Sequence, residues 1–284
     1  MTTIKRRFGP MPDEVPVVGQ GTWEMGDGHQ NATEIEALRS GIARGLTHID
    51  TAEMYGNGRA ECLIADAIRG IPRRDLFIVS KVLPQNASRA GTRRACEQTL
   101  RRLGIDHLDV YLLHWRGRVP LAETLGALEE LVYQGKIRAL GVSNFDVGDL
   151  EEARPLLRKH PIACNQVLYH LGERHIDADL IPYCAKHDIA VVAYSPFGHG
   201  RFPSSSRAGG QALAAVAARH RATPRQVALA FLARAAPLFT IPKASTVAHA
   251  EENAGALTLT LSATDVAEID AAFPVRSGSE LPII

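Results

Sequence analysis

The sequence predicts an α/β protein whose parallel strands close into an eight-stranded (β/α)8 TIM barrel, with an N-terminal extension before it. Three observations favour this fold. Short apolar stretches alternate along the chain with longer segments of helical periodicity. About eight strand–helix pairs can be counted, as a closed barrel requires. The first strand carries no GxGxxG motif and the chain has no Walker A motif, so an open nucleotide-binding sheet is disfavoured.

Eight stretches rich in Val, Ile and Leu are the predicted strands. Several are apolar throughout, which is expected for strands that are buried on both faces of a parallel sheet. The stretches are Val17–Trp23, Thr47–Asp50, Leu76–Val82, Leu108–His114, Ala139–Asn144, Ala163–Val167, Ala190–Ser195 and Phe239–Pro242.

The predicted helices lie between these strands and after the last one. The first has Ile35, Leu38 and Ile42 on one face, and Gly45 follows its end. The predicted helices are Thr33–Arg44, Arg89–Leu103, Leu121–Gln134, Val147–His160, Ala178–His187, Gln211–His220, Pro224–Ala235, Thr246–Ala254 and Ala263–Ala271.

Composition favours one globular domain over residues 1–284. The chain is 45% hydrophobic and has no stretch that resembles a linker. A net charge of +1 provides no strong field for nucleic acid or an anionic membrane, so we expect neither partner. The apolar runs are too short to span a membrane. The four cysteines, scattered without a CxxC motif, predict reduced thiols and a cytoplasmic protein.

Four chemically active side chains lie at or beside consecutive strand ends. Asp50 ends the second predicted strand, Lys81 lies near the end of the third, and His114 ends the fourth, while Tyr55 is in the loop after Asp50. Each residue alone has an ordinary structural explanation, such as a loop cap, a solvated lysine or a packed histidine. The carboxyl ends of barrel strands meet at one face, where barrel enzymes place their active sites. The four together therefore predict a catalytic site, and no cluster of metal ligands accompanies them.

These side chains form a coherent set for proton donation. A tyrosine with its ordinary pKa near ~10 is a poor acid at neutral pH, and a nearby ammonium lowers that pKa. Lys81 can supply the positive charge, and Asp50 can hold Lys81 in place. His114 can orient a carbonyl oxygen or help to relay a proton. The result is a general acid for an oxygen that becomes an alkoxide, as in hydride addition to a carbonyl.

Residues 45–57, with the sequence Gly-Leu-Thr-His-Ile-Asp-Thr-Ala-Glu-Met-Tyr-Gly-Asn, resemble the signature segment of the aldo-keto reductases. The resemblance extends from Gly19 to Asn253. It implies that Asp50, Tyr55, Lys81 and His114 are the catalytic tetrad of that family. It also implies reduction of small aldehydes or ketones to alcohols with NADPH, with NADH possible, by a monomer or weak homo-oligomer.

The resemblance further implies a cofactor site at the later strand ends. Ser143, Asn144 and Gln166 match residues that hold the nicotinamide carboxamide, and Tyr194 matches an aromatic residue that stacks on the nicotinamide ring. Lys243 and the helix that follows match a segment that binds the adenosine 2′-phosphate. The cofactor residues inferred from this resemblance are Gly21, Thr22, Ser143, Asn144, Gln166, Tyr194, Ser195, Lys243, Ser245, His249, Glu252 and Asn253.

Two positions in the phosphate-binding segment depart from the family pattern. Ala244 stands where Ser or Thr is usual, and His249 stands where Arg is usual. A histidine cannot make the bidentate phosphate contact of arginine, and at its ordinary pKa it is mostly uncharged at neutral pH. The sequence therefore predicts a weaker preference for NADPH over NADH than typical members have, unless the hydroxyl of Ser245 compensates.

Aromatic side chains near the strand ends are the predicted substrate site. Trp23 and Trp115 are the only tryptophans, and with Tyr55 and His114 they are predicted to bind the substrate. The alternative for either tryptophan is plain core packing. Arg116 either contacts an acidic substrate or points into solvent, and the second is favoured.

Two further segments bear on ligand access. Residues 197–210 are rich in Gly, Ser, Pro and Arg, which predicts a mobile loop over the cofactor, with Arg201 and Arg207 near the pyrophosphate. The tail after Phe273 is short, which predicts an open and permissive pocket.

Two other functions remain alternatives at this point. A cofactor-binding sensor subunit with little turnover would keep the same residues, and turnover of simple aldehydes would discriminate it from an enzyme. A Schiff-base lyase would use Lys81 as its nucleophile on the same barrel. The set of predicted cofactor residues argues against the lyase, which needs no such site.

Overall fold

In a computed structural model of this protein, residues 2–28, 31–275 and 281–282 are described. The sheet at its centre has eight parallel strands in sequential order, from β3 to β10. The first two strands pair with each other in an antiparallel hairpin and are the N-terminal extension. The strands are β1 Lys5–Arg7, β2 Glu14–Pro16, β3 Gln20–Gly21, β4 His48–Asp50, β5 Phe77–Val82, β6 Leu108–Leu113, β7 Ile137–Ser143, β8 Ile162–Leu168, β9 Ala190–Tyr194 and β10 Leu238–Thr240.

The sheet closes because the first and last strands of the barrel meet. The backbone N–H of Gly19 donates to the carbonyl of Thr240 at 2.8 Å, and the N–H of Thr240 donates to the carbonyl of Val17 at 2.9 Å. Gly21 continues this pairing, and a Cβ at Gly21 would lie 2.7 Å from the carbonyl oxygen of Ile241. Only glycine allows so close an approach. The predicted (β/α)8 barrel is confirmed.

A helix follows each barrel strand, and two more helices pack outside this alternation. The helices are α1 Asn31–Ala43, α2 Arg59–Ala67, α3 Arg89–Leu103, α4 Leu121–Tyr133, α5 Val147–Ala153, α6 Leu180–Lys186, α7 Ala208–His220, α8 Pro224–Leu232, α9 Val247–Gly255 and α10 Ala263–Ala272.

Two helices differ most from the prediction, and the bounds of the others shift by a few residues. The helix α2 was missed, although Ala60, Leu63, Ile64 and Ala67 are buried at the spacing that marks one helix face. The helix α5 ends at Ala153, well before the predicted end. Pro155 falls in the turn that follows, where it lacks the N–H that a continuing α-helix would need.

The hairpin of β1 and β2 covers the amino-terminal end of the barrel, and a residue between its strands packs into that end. Phe8, which follows β1, is fully buried, and its ring lies 4.8 Å from that of Phe77 and 4.9 Å from that of Phe239. The imidazole of His48 meets these rings edge-on. This aromatic cluster fills one end of the barrel and leaves the opposite end, where the strands terminate, for ligands.

Neither a membrane-spanning helix nor a metal cluster is found in the described part of the chain. None of its helices is long and apolar enough to cross a membrane. None of its His, Cys, Asp and Glu side chains gather in threes or more to hold a metal ion. All four cysteines are free thiols, with Cys62 exposed and the other three buried. That residues 1–284 form one domain stays a prediction.

Candidate active site

The two-residue period of the strands determines which side chains enter the barrel. In β5, Phe77 and Val79 pack inside the barrel, whereas Ile78 packs outward against the helices. The same alternation carries Lys81, two residues beyond Val79, to the inside near the end of the strand. In β4 the inward positions are His48 and Asp50. Asp50 pairs with Val79, so Lys81 lies two residues nearer the carboxyl end of the neighbouring strand and faces the same interior.

Lys81 is the centre of the site. Its side chain is fully buried, and its Nζ donates to Asp50 Oδ1 at 2.6 Å, to the carbonyl of Thr51 at 2.8 Å and to the Tyr55 hydroxyl oxygen at 3.1 Å. An ammonium has three N–H groups, so all three are used. Because Lys81 donates to the phenol oxygen, the hydrogen of that phenol is left for another acceptor.

Burial and the Asp50 carboxylate act on the Lys81 ammonium in opposite directions. Burial disfavours its charge, but Asp50 and Tyr55 outweigh burial, and the pKa of Lys81 is raised. For the phenol of Tyr55, burial raises the pKa more than Lys81 lowers it. The expectation that Lys81 lowers the pKa of Tyr55 below its ordinary value is therefore wrong for this structure, because desolvation of the phenolate is the larger effect. Tyr55 is protonated at neutral pH.

His114 lies beside Tyr55, and its ring centroid is 6.0 Å from that of Tyr55. Burial, with the nearby charge of Lys81, lowers the pKa of His114 to about 2. Its Nδ1 is buried without a hydrogen-bond partner. The imidazole is therefore neutral. It can donate one N–H hydrogen bond to an oxygen, but it has no second proton to transfer as an imidazolium would.

The ends of β7, β8 and β9 bring a chain of polar groups to the same cavity. Asn144 donates through Nδ2 to the carbonyl of His114 and to Ser143 Oγ, both at 3.1 Å, and its Oδ1 accepts from the Tyr194 hydroxyl at 2.9 Å. Gln166 donates through Nε2 to the second oxygen of Asp50 at 2.7 Å. Asp50 thus connects Lys81 to the residues predicted to bind the nicotinamide.

These side chains surround one cavity of about 680 Å³ at the carboxyl end of the barrel. Lys81 lies beneath its floor. Both tryptophans line the cavity, so plain core packing does not account for them. The predicted site residues that line it are Gly21, Thr22, Trp23, Asp50, Tyr55, His114, Trp115, Ser143, Asn144, Gln166, Tyr194, Ser195 and Lys243.

The remaining predicted cofactor residues lie at the start of α9 and along it. Thr246 begins this helix by accepting a hydrogen bond from the backbone N–H of His249 at 3.3 Å. The side chains of Ser245 and Glu252 are partly exposed and that of His249 is exposed, whereas Asn253 is buried. Ala244 packs with Ala37 and Ala250 in one buried cluster.

Lys243 is the cation at this end of the cavity. Its Nζ donates to the carbonyl of Glu24 at 3.2 Å, and the Glu24 carboxylate lies 4.0 Å away. Arg116, by contrast, is held on α5 by Asp149 and Glu152, at 2.7 and 2.6 Å. Arg116 is exposed and does not line the cavity, so the favoured alternative, a solvent-facing position, describes it, with its guanidinium paired to carboxylates of this chain.

Several residues that line the cavity were not among the predicted site residues, namely Glu24, Met54, Pro196, Phe197, His199, Gly200 and Ile241. Glu24 directly follows the predicted Trp23, and Met54 directly precedes the predicted Tyr55. His199 and Gly200 lie in the segment predicted to be a mobile loop over the cofactor, which in the structure ends where α7 begins at Ala208. The predicted effect of the short tail involves residues 276–280 and 283–284, which lie outside the described residues.

The model of the aldo/keto reductase family matches residues 17–273. This chain belongs to the aldo/keto reductase family. It is 45% identical over 265 residues to methylglyoxal reductase YeaE of Escherichia coli K12, and 93% of each chain is covered. It is 35% identical to glyoxal reductase of Bacillus subtilis 168, over 91% of this chain and 89% of that one.

Solved structures of the family have the same barrel. An aldo/keto reductase from Klebsiella pneumoniae, crystallised with NADP and acetate, is 43% identical and superimposes with a TM-score of 0.91 over 100% of both chains. A structure of a Klebsiella pneumoniae aldo-keto reductase in complex with NADPH gives the same values. The predicted family and fold are therefore confirmed.

Proposed function

We propose that this aldo/keto reductase reduces small aldehydes and ketones to alcohols, with Tyr55 as the proton donor. The enzyme class and cofactor, an NADP(H)-dependent oxidoreductase, are confirmed by the family and by its NADP-bound relatives. The observation that carries the role of Tyr55 is the 3.1 Å hydrogen bond from Lys81 Nζ to its hydroxyl at the floor of the cavity.

Proton transfer from Tyr55 follows from this contact. A carbonyl carbon that accepts a hydride leaves both electrons of the broken π bond on oxygen, which becomes an alkoxide. Tyr55 donates its O–H proton to that oxygen and becomes a phenolate. The phenolate is then beside the Lys81 ammonium, which stabilises it and which Asp50 keeps charged and in place. The proton is thus transferred from Tyr55, which is protonated at neutral pH, to the substrate oxygen, whose basicity rises as it becomes an alkoxide.

His114 orients the carbonyl oxygen in this proposal. Its neutral imidazole can donate one hydrogen bond to the oxygen without supplying a proton to it. This role is favoured over a proton relay, because an imidazole with a pKa of about 2 is not protonated at neutral pH. A donor that is already positioned stabilises the developing negative charge on oxygen.

The chemistry of the cavity fits a nicotinamide cofactor. A carboxamide can exchange hydrogen bonds with Ser143, Asn144 and Gln166, and an aromatic face is present at Tyr194. Lys243 provides positive charge for phosphate, and the proposal places Gly21, Thr22, Ser195, Ser245, His249, Glu252 and Asn253 along the remainder of the cofactor. When bound, the cofactor supplies the hydride.

The substrate end of the cavity has an aromatic and apolar wall. Trp23, Trp115 and Met54 line it beside Tyr55 and His114. Two relatives are named for methylglyoxal and glyoxal reduction, so small 2-oxoaldehydes are the first substrates that we propose. A monomer or weak homo-oligomer remains our prediction.

The test is oxidation of NADPH, followed by absorbance, in the presence of methylglyoxal, glyoxal, propanal and a simple ketone. We expect aldehyde-dependent oxidation, faster with NADPH than with NADH. A parallel titration of cofactor binding gives the control. Tight binding of NADPH with no turnover of any of these compounds would contradict the proposal and favour a sensor subunit.

A further inference from the structure

The mouth of the cavity is crossed by one aromatic contact between two loops. The imidazole of His199, from the loop after β9, stacks on the indole of Trp23, from the loop after β3, with ring centroids 5.0 Å apart and planes at 27°. Both side chains line the cavity. The strands β3 and β9 lie on either side of β10, so the contact reaches over the end of β10.

The backbone of the β9 loop turns His199 toward the cavity. Gly198, His199 and Gly200 have φ angles of 69°, 51° and 83°, all in the left-handed region. Such a conformation is unfavourable for a residue with a Cβ, so His199 needs compensating contacts to keep it. The stack on Trp23 is such a contact.

The base of the same loop is held by a second set of contacts. Arg225 at the start of α8 lies 4.8 Å from the ring centroid of Phe197 and 5.1 Å from that of Phe202, and the two rings meet edge-on. Phe197 and Phe202 flank the turn that carries His199. The loop is therefore attached to the barrel on both sides of His199, and the imidazole is presented from a supported turn.

We propose that His199 is a positioning residue that determines substrate size, because it holds Trp23 in place and forms the outer limit of the substrate site. This inference rests on the proposed function. The β9 loop thus limits the cavity on the side of His199. Short aliphatic carbonyl compounds fit beneath the stack, and longer ones must displace His199.

The experiment compares kcat/KM for a series of straight-chain aldehydes from propanal to octanal, with NADPH, in the wild type and two variants. We expect His199→Ala to raise the efficiency for octanal relative to propanal by about two- to tenfold, the range for loss of an aromatic pair. We expect His199→Phe, which keeps a ring on Trp23, to retain the wild-type ratio. The matched control is His187→Ala, which removes a histidine–tyrosine contact with Tyr183 on α6, outside the residues that line the cavity.

A readout without turnover accompanies the kinetics. Trp23 is one of two tryptophans, so His199→Ala should change the intrinsic fluorescence of the free protein, whereas His187→Ala should not. An unchanged aldehyde ratio in His199→Ala, or a general rise in the Kd of NADP⁺ without a change in that ratio, would overturn the proposal. Absence of turnover in the wild type would instead contradict the proposed function. In that case, unchanged fluorescence in His199→Ala would still show that His199 does not hold Trp23 in place.

Discussion

Replacing Tyr55 with Phe removes one oxygen from the centre of the site and leaves the ring that lines the cavity. The change deletes the acid that donates the proton and the acceptor of one Lys81 hydrogen bond. Lys81 keeps its contacts with Asp50 at 2.6 Å and with Thr51 at 2.8 Å, so its charge stays paired. The variant is therefore expected to fold, with a loss of about 1.5–3 kcal/mol in the free energy of unfolding, the range for a hydrogen bond that involves a charged group.

The catalytic loss should be much larger than the loss of stability. A positioned general acid contributes about 100- to 10,000-fold in rate, or about 3–5 kcal/mol of the activation barrier. The residues proposed to hold the cofactor are not changed, so the Kd of NADP⁺ should stay within about a factor of three, less than 1 kcal/mol. The expected signature is a large fall in kcat/KM for methylglyoxal with cofactor binding preserved.

The assay combines steady-state NADPH oxidation with a fluorescence titration of cofactor binding. Tyr133→Phe is the matched control, because Tyr133 is 88% exposed on α4 and its loss should change neither quantity. The raised pKa of Tyr55 adds a second expectation for the wild type. Because the phenol must be protonated to act, the rate of reduction should stay level as pH rises from neutrality and fall only above the ordinary phenol value of 10.0. Tyr55→Phe with activity within a few-fold of the wild type would refute this reasoning.

Three further predictions concern cofactor preference, acid stability and thiol reactivity. His249→Arg should raise the ratio of kcat/KM for NADPH over NADH, since arginine carries a permanent charge and two donors for phosphate; an unchanged ratio would mean that this position does not contact the 2′-phosphate. Burial lowers the pKa of His48 to about 3 from 6.5. As the pH falls below 6.5, His48 becomes protonated in the unfolded chain but stays neutral in the folded protein. The free energy of unfolding therefore falls toward acid pH by up to about 1.4 kcal/mol per pH unit. His48→Leu should reduce that slope in melting temperatures measured against pH, and equal slopes would count against the assignment. Of the four thiols, Cys62 alone should react with a thiol reagent in the native protein, because it is exposed. The other three are buried, which raises the pKa of Cys96 and Cys184 to about 12 and raises that of Cys164 further. Labelling of a second thiol before unfolding would disprove this prediction.

The missed helix and the misjudged helix end have local physical causes. The helix α2 follows a turn in which Gly56, Asn57 and Gly58 all have positive φ angles, and such a turn reads as loop in the sequence. Its short apolar face becomes informative only once the barrel strands on either side are known. Pro155 indicates the early end of α5, but the helical periodicity of the surrounding residues favoured a longer helix.

The sequence by itself determined the barrel and the catalytic set at or beside its strand ends, and the resemblance to the family supplied most of the cavity wall. The reason is that strand periodicity is local: alternate residues face inward, and parallel strands end at the same face. Lys81 and Asp50 could therefore be placed together without knowing any distance between them. The family pattern at residues 45–57 added the order of roles within that set.

Only the tertiary structure decided the balance of burial and charge, and the contacts between distant loops. The pKa of Tyr55 depends on how completely the phenol is desolvated, which outweighs the nearby ammonium of Lys81. Arg116 binds Asp149 and Glu152 because α5 lies beside it, and the stack of His199 on Trp23 joins residues far apart in the chain. These properties arise from how elements pack across space, which the local order of residues does not encode.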